Sequence, residues 1–307
     1  MNKNIQNNQH YFKISQENPE KLLDDFYIFD NKNPNLQEYV NNTKEIKRIL
    51  ITIKTLQDKK ENPKIINKYY QELQKSLNNF SNCSEFICFA NACDNALKFV
   101  KKDINLLKKI TQKYFNKRIL NEVVPEEWIQ AILDSKATTR KGKCGEIKLL
   151  SILKKFGINE IKNWNDFFSQ KKCVAQFSKI FNMKNVREKL NVKIKAKKQD
   201  KKLDLIIKIG KKIFLVEAKH LNTSGGGQDK QISELIEIIG LKEKNQNISY
   251  ISFLDGNYSN ILIVNEKCGE KLKTQRREIK KYLKKNLNNY WLNTAGFKLL
   301  FSDLVNS

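Results

Sequence analysis

Three charged residues in one short stretch have the types and spacing of a metal-dependent hydrolytic site. Asp204 is followed by Glu217 and Lys219, and the residues between them are mostly apolar. Carboxylates suit Mg²⁺, a hard ion that binds through a few oxygens and keeps waters for a substrate. Such an ion can activate water and neutralise charge on a scissile phosphate, and a lysine beside it can orient or deprotonate that water. We therefore expect a Mg²⁺ site with Asp204 and Glu217 as ligands and Lys219 beside the attacking water.

The residues around these three predict a β-hairpin. Two runs rich in β-branched residues, 203–209 and 212–219, are separated by a two-residue connection that contains glycine, which is typical of a hairpin turn. Residues two apart on a strand share a face, so Glu217 and Lys219 project together. Antiparallel pairing then brings Asp204 opposite Glu217. The alternative is a surface strand with alternating charges and a cross-strand ion pair, because this spacing alone is common.

The same residues resemble the active-site motif of the PD-(D/E)XK nuclease superfamily, in which a strand-borne aspartate is followed by Glu-x-Lys on the neighbouring strand. Leu203 stands where that motif has proline. The runs Glu217-Ala218-Lys219-His220 and Phe253-Leu254-Asp255-Gly256 also resemble EcoRI-like type II restriction endonucleases. The resemblance covers residues 203 to 256. It implies a restriction-endonuclease-like core, Mg²⁺ as cofactor, and cleavage of duplex DNA that leaves 5′-phosphate ends.

A further acid is expected on a helix ahead of the hairpin. Many members of this superfamily place an acid there, and the run Lys141-Gly142-Lys143-Cys144-Gly145-Glu146 resembles that element. Glu146 is then a candidate catalytic residue and outer metal ligand. The alternative is an ordinary acid in the first turn of a helix, where the helix dipole favours negative charge. The helix is expected at 146–156, after a basic turn at 138–145, and Gly157 can end it.

The residues that come after the hairpin have the composition of a DNA contact. Glycine has no side chain, so the run 224–227 can lie close to a phosphate backbone. The helix expected at 228–239 offers backbone N–H groups at its start, which favour phosphate. A plain flexible connection is the alternative. The residues expected to contact DNA are Lys141, Lys143, His220, Asn222, Ser224, Gly225, Gly226, Gly227, Gln228, Lys230 and Gln231.

The net charge favours a polyanionic partner. The chain has 307 residues, with 58 Lys and Arg against 33 Asp and Glu, which gives a net charge of +25. An AT-rich genome would raise the lysine content, but the same bias supplies Asp and Glu, so the excess remains. Nucleic acid is therefore favoured over a merely solvated basic surface. The basic stretch at 267–285 is expected to combine solvated cations with phosphate contacts.

The first part of the chain predicts a helical region, residues 1–122. It contains no glycine, and apolar residues recur mostly three and four positions apart at 36–56, which is the spacing of an amphipathic helix. Similar stretches occur at 64–77 and 86–115. We expect this region to pack onto, or partly enclose, the C-terminal part of the chain.

Residues 123–307 are expected to form the nuclease core. Helices alternate with strands there, which predicts an α/β (α+β) fold with a mixed central β-sheet flanked by helices. Besides the hairpin, we expect a strand at 248–254, a basic helix at 266–287 and a short last strand at 297–301.

The sequence lacks the patterns expected of a structural zinc site, a secretory signal and a membrane-spanning helix. The six cysteines include no CxxC pair and the two histidines lie far apart, so buried reduced thiols are expected rather than a structural zinc site. The residues up to His10 contain no apolar run that could serve as a secretory signal. No later run approaches the roughly 18 apolar residues of a membrane helix. A cytoplasmic location without membrane contact is therefore expected.

Together these features indicate a type II restriction endonuclease. A homodimer is expected, because a two-fold dimer matches a palindromic site and cuts both strands. A cognate DNA methyltransferase is expected as a genetic rather than a physical partner. Two alternatives stay open: a repair, resolvase or mobile-element nuclease of the same fold, and a non-catalytic nucleic-acid-binding protein.

Overall fold

The structure is a computed structural model that describes residues 5–28, 32–93, 97–135, 138–195, 202–223, 225–264 and 269–307. These residues form a mixed α/β protein in which helices flank a mixed β-sheet and a helical region precedes it. The helices are α1 (Asn8–Glu17), α2 (Leu36–Asp58), α3 (Pro63–Ser76), α4 (Glu85–Ala92), α5 (Leu97–Val100), α6 (Ile104–Lys117), α7 (Glu126–Ser135), α8 (Thr138–Lys155), α9 (Trp164–Ser169), α10 (Met183–Leu190), α11 (Gly226–Gly240), α12 (Asn257–Ile263), α13 (Glu270–Lys285) and α14 (Thr294–Asn306).

The chain forms two compact units. One is Phe29–Thr138, and the other combines Met1–Ile28 with Thr139–Ser307. This division differs from the boundary expected at residue 122, because the first residues pack with the C-terminal part. Asn8 explains the difference: its buried amide donates hydrogen bonds to the carbonyl oxygens of Leu283, Asn286 and Asn289, at 2.8 to 3.0 Å.

The helical unit contains α2 to α7 and has its own core. The expected periodicity of α2 is confirmed, since Ile46, Ile49, Leu50 and Ile53 are all buried. They pack with apolar residues of α3, α4 and α6. Asn62 caps α3 through its side chain, and Pro63 occupies the first turn, where its missing N–H costs no hydrogen bond.

The second unit is built on a six-stranded sheet whose strands lie in chain order. The strands are β1 (Asn159–Glu160), β2 (Lys172–Gln176), β3 (Leu205–Ile209), β4 (Lys212–His220), β5 (Ile248–Asp255) and β6 (Tyr290–Leu292). β2, β3 and β4 are antiparallel to their neighbours in that group, while the pairs β1/β2, β4/β5 and β5/β6 are parallel. The expected hairpin is confirmed as β3 and β4, and Gly210 in the turn has φ +58°, which glycine adopts at little cost.

Alternation along the strands gives the sheet two buried faces. Ile207 and Val216 pack with residues of α8 and α14 on one face. Ile206 and Leu215 pack on the other, with Ile238 of α11. Both faces are covered, which accounts for the nearly continuous apolar runs of β3 and β5.

The C-terminal segment corrects one expectation. The strand expected at 297–301 is wrong, since these residues lie within α14, and the last strand is β6. Asn293 begins the helix, because its side chain accepts hydrogen bonds from the N–H groups of Ala295 and Gly296. Phe297, Phe301 and their apolar neighbours then recur at helical spacing and are buried.

The start of α8 differs from a second expectation. The basic turn expected at 138–145 is wrong, because the backbone is helical from Thr138 onward. The rest of the helix carries enough buried surface to outweigh the roughly 1 kcal/mol cost of each glycine, since Leu149 and Leu153 are fully buried. Side chains 138–144 lie outside the described residues.

The free thiols agree with expectation only in part. Cys83 and Cys173 are buried, whereas Cys88 is exposed. Within the described residues, no helix combines the length and apolar character that crossing a membrane requires.

Candidate active site

The hairpin brings Asp204 to the position opposite Glu217. Leu205 pairs with Val216, so one further step of the register joins the two acids. The backbone N–H of Asp204 donates to the carbonyl of Val216 at 2.9 Å. The Asp204 carboxylate in turn accepts a 2.7 Å hydrogen bond from the N–H of Ala218. These two bonds fix the aspartate at the mouth of the hairpin, as the spacing predicts.

Glu217 and Lys219 share a face of β4 and contact each other. The Lys219 Nζ donates to the Glu217 Oε1 at 2.5 Å. Glu217 is only 1 % exposed, while the lysine side chain is 22 % exposed. A buried carboxylate is thus joined to an ammonium that solvent can reach. We call Asp204, Glu217 and Lys219 the hairpin site.

The hairpin site carries an excess of negative charge. Burial, followed by the charge of Glu217, raises the pKa of Asp204 to about 7, and the charge of Lys219 offsets this only in part. Glu146 lies near enough to raise the pKa of Asp204 further. For Lys219, burial on its own lowers the pKa, but Glu217 and Asp204 outweigh it and raise the pKa. One ammonium therefore balances up to three carboxylates, which suits a divalent cation bound through oxygen.

A second group of acids lies on the other face of the sheet. Lys148 of α8 is surrounded by Glu20, Asp24 and Asp255, and we call these four residues the Lys148 cluster. The Lys148 Nζ lies 2.6 Å from Asp24 Oδ2, 2.8 Å from Asp255 Oδ2 and 3.7 Å from Glu20 Oε2. The lysine side chain is 3 % exposed, so the ammonium is almost entirely removed from water.

Protein donors occupy the carboxylates of the Lys148 cluster. Asp255 accepts hydrogen bonds from the Tyr27 hydroxyl at 2.6 Å and from the Gly256 N–H at 2.7 Å, besides the bond from Lys148. Glu20 accepts from the N–H of Thr294 at 2.5 Å. Each acid is held by a named donor, so the cluster is a buried hydrogen-bonded network rather than an open cavity.

Two of the three acids in this network, Glu20 and Asp255, have pKa values that are shifted in opposite directions. Burial on its own would raise the pKa of Asp255, but the His220 ring, whose Nδ1 lies 3.6 Å from Asp255 Oδ2, and the Lys148 ammonium hold that pKa well below its usual range. Burial and the charge of Asp255 raise the pKa of Glu20 to about 7, against the opposing charge of Lys148. A protonated Glu20 thus limits the net charge of the cluster near neutral pH.

Glu20, Asp24 and Asp255 could hold a metal ion, since one ligand atom from each lies within 4.8 Å of the others. Among the described residues, Asp204, Glu217 and Glu146 do not meet that criterion as a set of three. The cation that lies among the triad in this structure is the Lys148 ammonium.

The expected DNA contacts are only partly brought together. His220 is half-buried; only 7 % of its side chain is exposed, and its ring stacks on Tyr27 with centroids 3.5 Å apart. Its Nε2 lies 3.2 Å from the side-chain nitrogen of Asn222. Asn222 itself is exposed and also accepts a hydrogen bond from the N–H of Asn257. The His220 ring thus packs against Tyr27, whereas Asn222 lies at the surface.

The expected helix after the glycine run is confirmed as α11, whose first turn contains several of the expected contacts. Gly226, Gly227 and Lys230 are exposed. A side chain at Gly226 or Gly227 would meet nothing within 4 Å, whereas one at Gly225 would come within 2.5 Å of Gln228. Gln231 is half-buried. Ser224 and the side chains of Lys141 and Lys143 lie outside the described residues.

Sequence reasoning missed the Lys148 cluster, although it left one signal. Lys148 lies four residues before the buried Ile152, on the same face of α8, and a lysine on an apolar helix face needs a buried partner. Its partners come from distant parts of the chain, and no spacing pattern identifies them.

Comparisons of the chain with protein-family models, with curated proteins and with solved structures found no match. The resemblance to the PD-(D/E)XK superfamily therefore rests on the residues named above and stays a prediction.

Proposed function

We propose that this protein is a Mg²⁺-dependent nuclease that hydrolyses phosphodiester bonds in duplex DNA, as a type II restriction endonuclease does. The observation that carries the proposal is the hairpin site. An aspartate held by the N–H of Ala218 lies opposite a buried glutamate, and that glutamate is hydrogen-bonded to Lys219. The charge of Glu146 contributes to the raised pKa of Asp204. This proximity supports Glu146 as the outer metal ligand.

The residues of the hairpin site fit a divalent cation. Asp204 and Glu217 would hold it, with Glu146 as an outer ligand. Burial and the charge of Glu217 already raise the pKa of Asp204 to about 7, and the charge of Glu146 adds to this, so a cation among these carboxylates would be favoured. When bound, Mg²⁺ supplies water activation and neutralises charge on the phosphate. Lys219 keeps its ammonium because Glu217 and Asp204 raise its pKa. That ammonium orients the attacking water and donates a hydrogen bond to it.

The proposal extends to the setting of the reaction. The cut leaves 5′-phosphate and 3′-hydroxyl ends, and two copies of the chain act on the two strands of a palindromic site. The enzyme works in the cytoplasm, where a cognate methyltransferase protects the host sites. Contacts to DNA are made by Asn222, the exposed glycines and Lys230 at the start of α11, where backbone N–H groups favour phosphate.

Digestion of a plasmid of known sequence tests the proposal. With Mg²⁺, the wild-type protein is expected to give discrete fragments whose ends map to one sequence, and EDTA is expected to abolish cutting. Asp204→Asn and Lys219→Met are expected to bind the plasmid without cutting it. Matched controls are Asp58→Asn, at an exposed position of the helical unit, and Lys212→Met, at the exposed start of β4, and both should cut normally.

Each other outcome has a definite meaning. A smear instead of discrete fragments identifies a nonspecific nuclease and contradicts restriction. Intact plasmid under all Mg²⁺ conditions, with DNA binding retained, favours a binding protein without catalysis. Normal cutting by Asp204→Asn or Lys219→Met would overturn the assignment of the hairpin site.

A further inference from the structure

Helix α13 presents a stripe of cations that the proposed active site does not use. The buried residues Gln275, Ile279 and Leu283 turn one face of the helix toward the core. The opposite face carries five cations at spacings of three and four residues, and their side chains border one open surface region of about 600 Å³. This basic stripe consists of Arg277, Lys280, Lys281, Lys284 and Lys285.

The charges of the basic stripe are not balanced by nearby carboxylates among the described residues. Elsewhere on α13, Lys271 pairs with Asp229 and Lys273 pairs with Glu270. In the described part of the chain, no carboxylate lies within ion-pair distance of any of the five stripe cations. Glu278 is the one acid in the same half of the helix. Five like charges on neighbouring turns repel one another, so a polyanion at this face would relieve a standing electrostatic cost.

The helix dipole and the general excess of lysine explain only some of the cations in the stripe. Lys284 and Lys285 lie in the last turn of α13, where the helix dipole stabilises cations. A general excess of lysine accounts for scattered cations. Neither explains why Arg277, Lys280 and Lys281 continue the same face toward the middle of the helix.

The stripe is displaced from the hairpin site. Near their starts, α11 and α13 are joined by the ion pair between Asp229 and Lys271, and at their ends the Asn286 side chain donates to the carbonyl of Ile239 at 2.9 Å. The two helices therefore run side by side in the same direction. Because α11 begins just after β4 ends, α13 leads away from the end of the sheet that carries the hairpin site. Arg277 lies about 9 Å along the helix from Lys271 at 1.5 Å per residue.

We infer that the basic stripe of α13 binds the phosphate backbone of duplex DNA outside the segment held at the hairpin site. The stripe spans about 12 Å from Arg277 to Lys285, the length over which a duplex rises by three to four base steps at about 3.4 Å each. The contact is to phosphates and carries no sequence information. The inference rests on the DNA partner of the proposed function, but not on the nuclease chemistry.

Salt dependence of DNA binding tests the inference. The variant Lys280→Gln/Lys281→Gln/Lys284→Gln is compared with Lys154→Gln/Lys155→Gln/Lys171→Gln, which removes the same charge from exposed positions elsewhere in the same unit. Binding of a labelled duplex is measured by fluorescence anisotropy in EDTA between about 50 and 200 mM salt. We expect the stripe variant to lower the slope of log K against log salt by about 2 to 3, and the control to leave it nearly unchanged.

The outcomes separate this inference from the proposed function. Equal slopes for the stripe variant and the control would overturn it, provided that circular dichroism shows both variants folded as the wild type is. A loss of slope that appears only in the stripe variant supports it. Since EDTA prevents cutting, this result does not depend on whether the chain cleaves DNA, and a wild-type protein that binds without cutting would contradict the nuclease alone.

Discussion

Two clusters of buried charge lie at the same end of strand β4, on opposite faces of the sheet, and each combines carboxylates with one lysine. In the Lys148 cluster the ammonium is almost wholly buried, and named protein donors hold each acid. In the hairpin site the ammonium of Lys219 reaches solvent, and negative charge is in excess. The two clusters therefore contain similar residue types but differ in how many protein donors bind their carboxylates.

The comparison bears directly on where a metal ion would bind. The oxygens of Glu20, Asp24 and Asp255 are the closer set, so distance alone favours the Lys148 cluster. The contacts favour the hairpin site, because a metal in the Lys148 cluster would have to displace the ammonium and several hydrogen bonds. A buried carboxylate already satisfied by donors gains little from an added cation.

Removal of each lysine should give the largest difference between the clusters. Lys148→Met leaves acids buried without their cation, and we expect a loss of about 3 to 5 kcal/mol of unfolding free energy. Lys219→Met leaves Glu217 without one hydrogen bond, at a cost of roughly 1.5 to 3 kcal/mol. Urea unfolding at neutral pH measures both. Lys212→Met should stay within about 0.5 kcal/mol of the wild type, and a larger loss for Lys219→Met than for Lys148→Met would contradict the comparison.

Stabilisation by Mg²⁺ should identify the cluster that binds it. At about 100 times its dissociation constant, a ligand of the folded state adds about 2.7 kcal/mol. We expect this gain in the wild type and in Asp24→Asn, and its loss in Asp204→Asn and Glu217→Gln. The measurement is the unfolding free energy with and without Mg²⁺. Retention of the gain in Asp204→Asn together with its loss in Asp24→Asn would assign the metal to the Lys148 cluster instead.

Tyr27→Phe should lower the unfolding free energy by less than Lys148→Met does, and so tests how the hydrogen bonds of the Lys148 cluster share its stabilisation. The substitution removes one hydrogen bond to Asp255, which keeps its bonds to Lys148 and Gly256. A loss of about 1.5 kcal/mol is expected, at the low end for hydrogen bonds to charged groups. Urea unfolding measures it, and Mg²⁺ should stabilise this variant as it does the wild type. A loss as large as that of Lys148→Met would show that the hydroxyl, and not the ammonium, dominates the cluster.

The pH dependence of stability tests the raised pKa values in the two clusters. Asp204 and Glu20 each have a pKa near 7 in the fold, above the ordinary values of 3.8 and 4.5. The folded state therefore holds protons that the unfolded chain has lost, and stability falls as pH rises from about 4 to about 7. The slope is at most about 1.4 kcal/mol per pH unit for each proton.

Variants separate the two contributions to that slope. In EDTA, Asp204→Asn and Glu20→Gln should each flatten the fall, as measured by the urea midpoint across the pH range. Above pH 7, Mg²⁺ should restore stability to Glu20→Gln, which keeps Asp204, and not to Asp204→Asn. A stability that rises between pH 4 and pH 7 in the wild type would refute the assigned directions.

The sequence predicted the hairpin site because its geometry is local. Turn chemistry, the two-residue period of a strand and antiparallel pairing together specify that Asp204 faces Glu217, and all three act within a few residues of Gly210. Helix α11 and strand β5 were predicted for the same reason. The Lys148 cluster was not, because Glu20, Lys148 and Asp255 meet only through tertiary packing.

Short elements were the other failure. Strand β2 is five residues long and carries a lysine and a glutamine, so its own sequence is a weak strand signal. Its pairing with β3 decides its structure. The run at 297–301 was mistaken for a strand because five apolar and basic residues fit either period. The cap at Asn293 resolves the ambiguity, and a cap is recognised with confidence only when its hydrogen bonds are seen.

Helix α1 has a consequence for the order in which the molecule is built. The ribosome makes this helix before the sheet, yet Asn8 bonds to the carbonyls of Leu283 and Asn289, and the Tyr11 hydroxyl donates to Asp303 at 3.0 Å. These contacts join residues more than 270 positions apart, so they close late in folding. Helix α1 must wait undocked until α13 and α14 have been made, and the segment with Glu20 and Asp24 waits with it. A nascent fragment can therefore form the hairpin well before the Lys148 cluster can be completed.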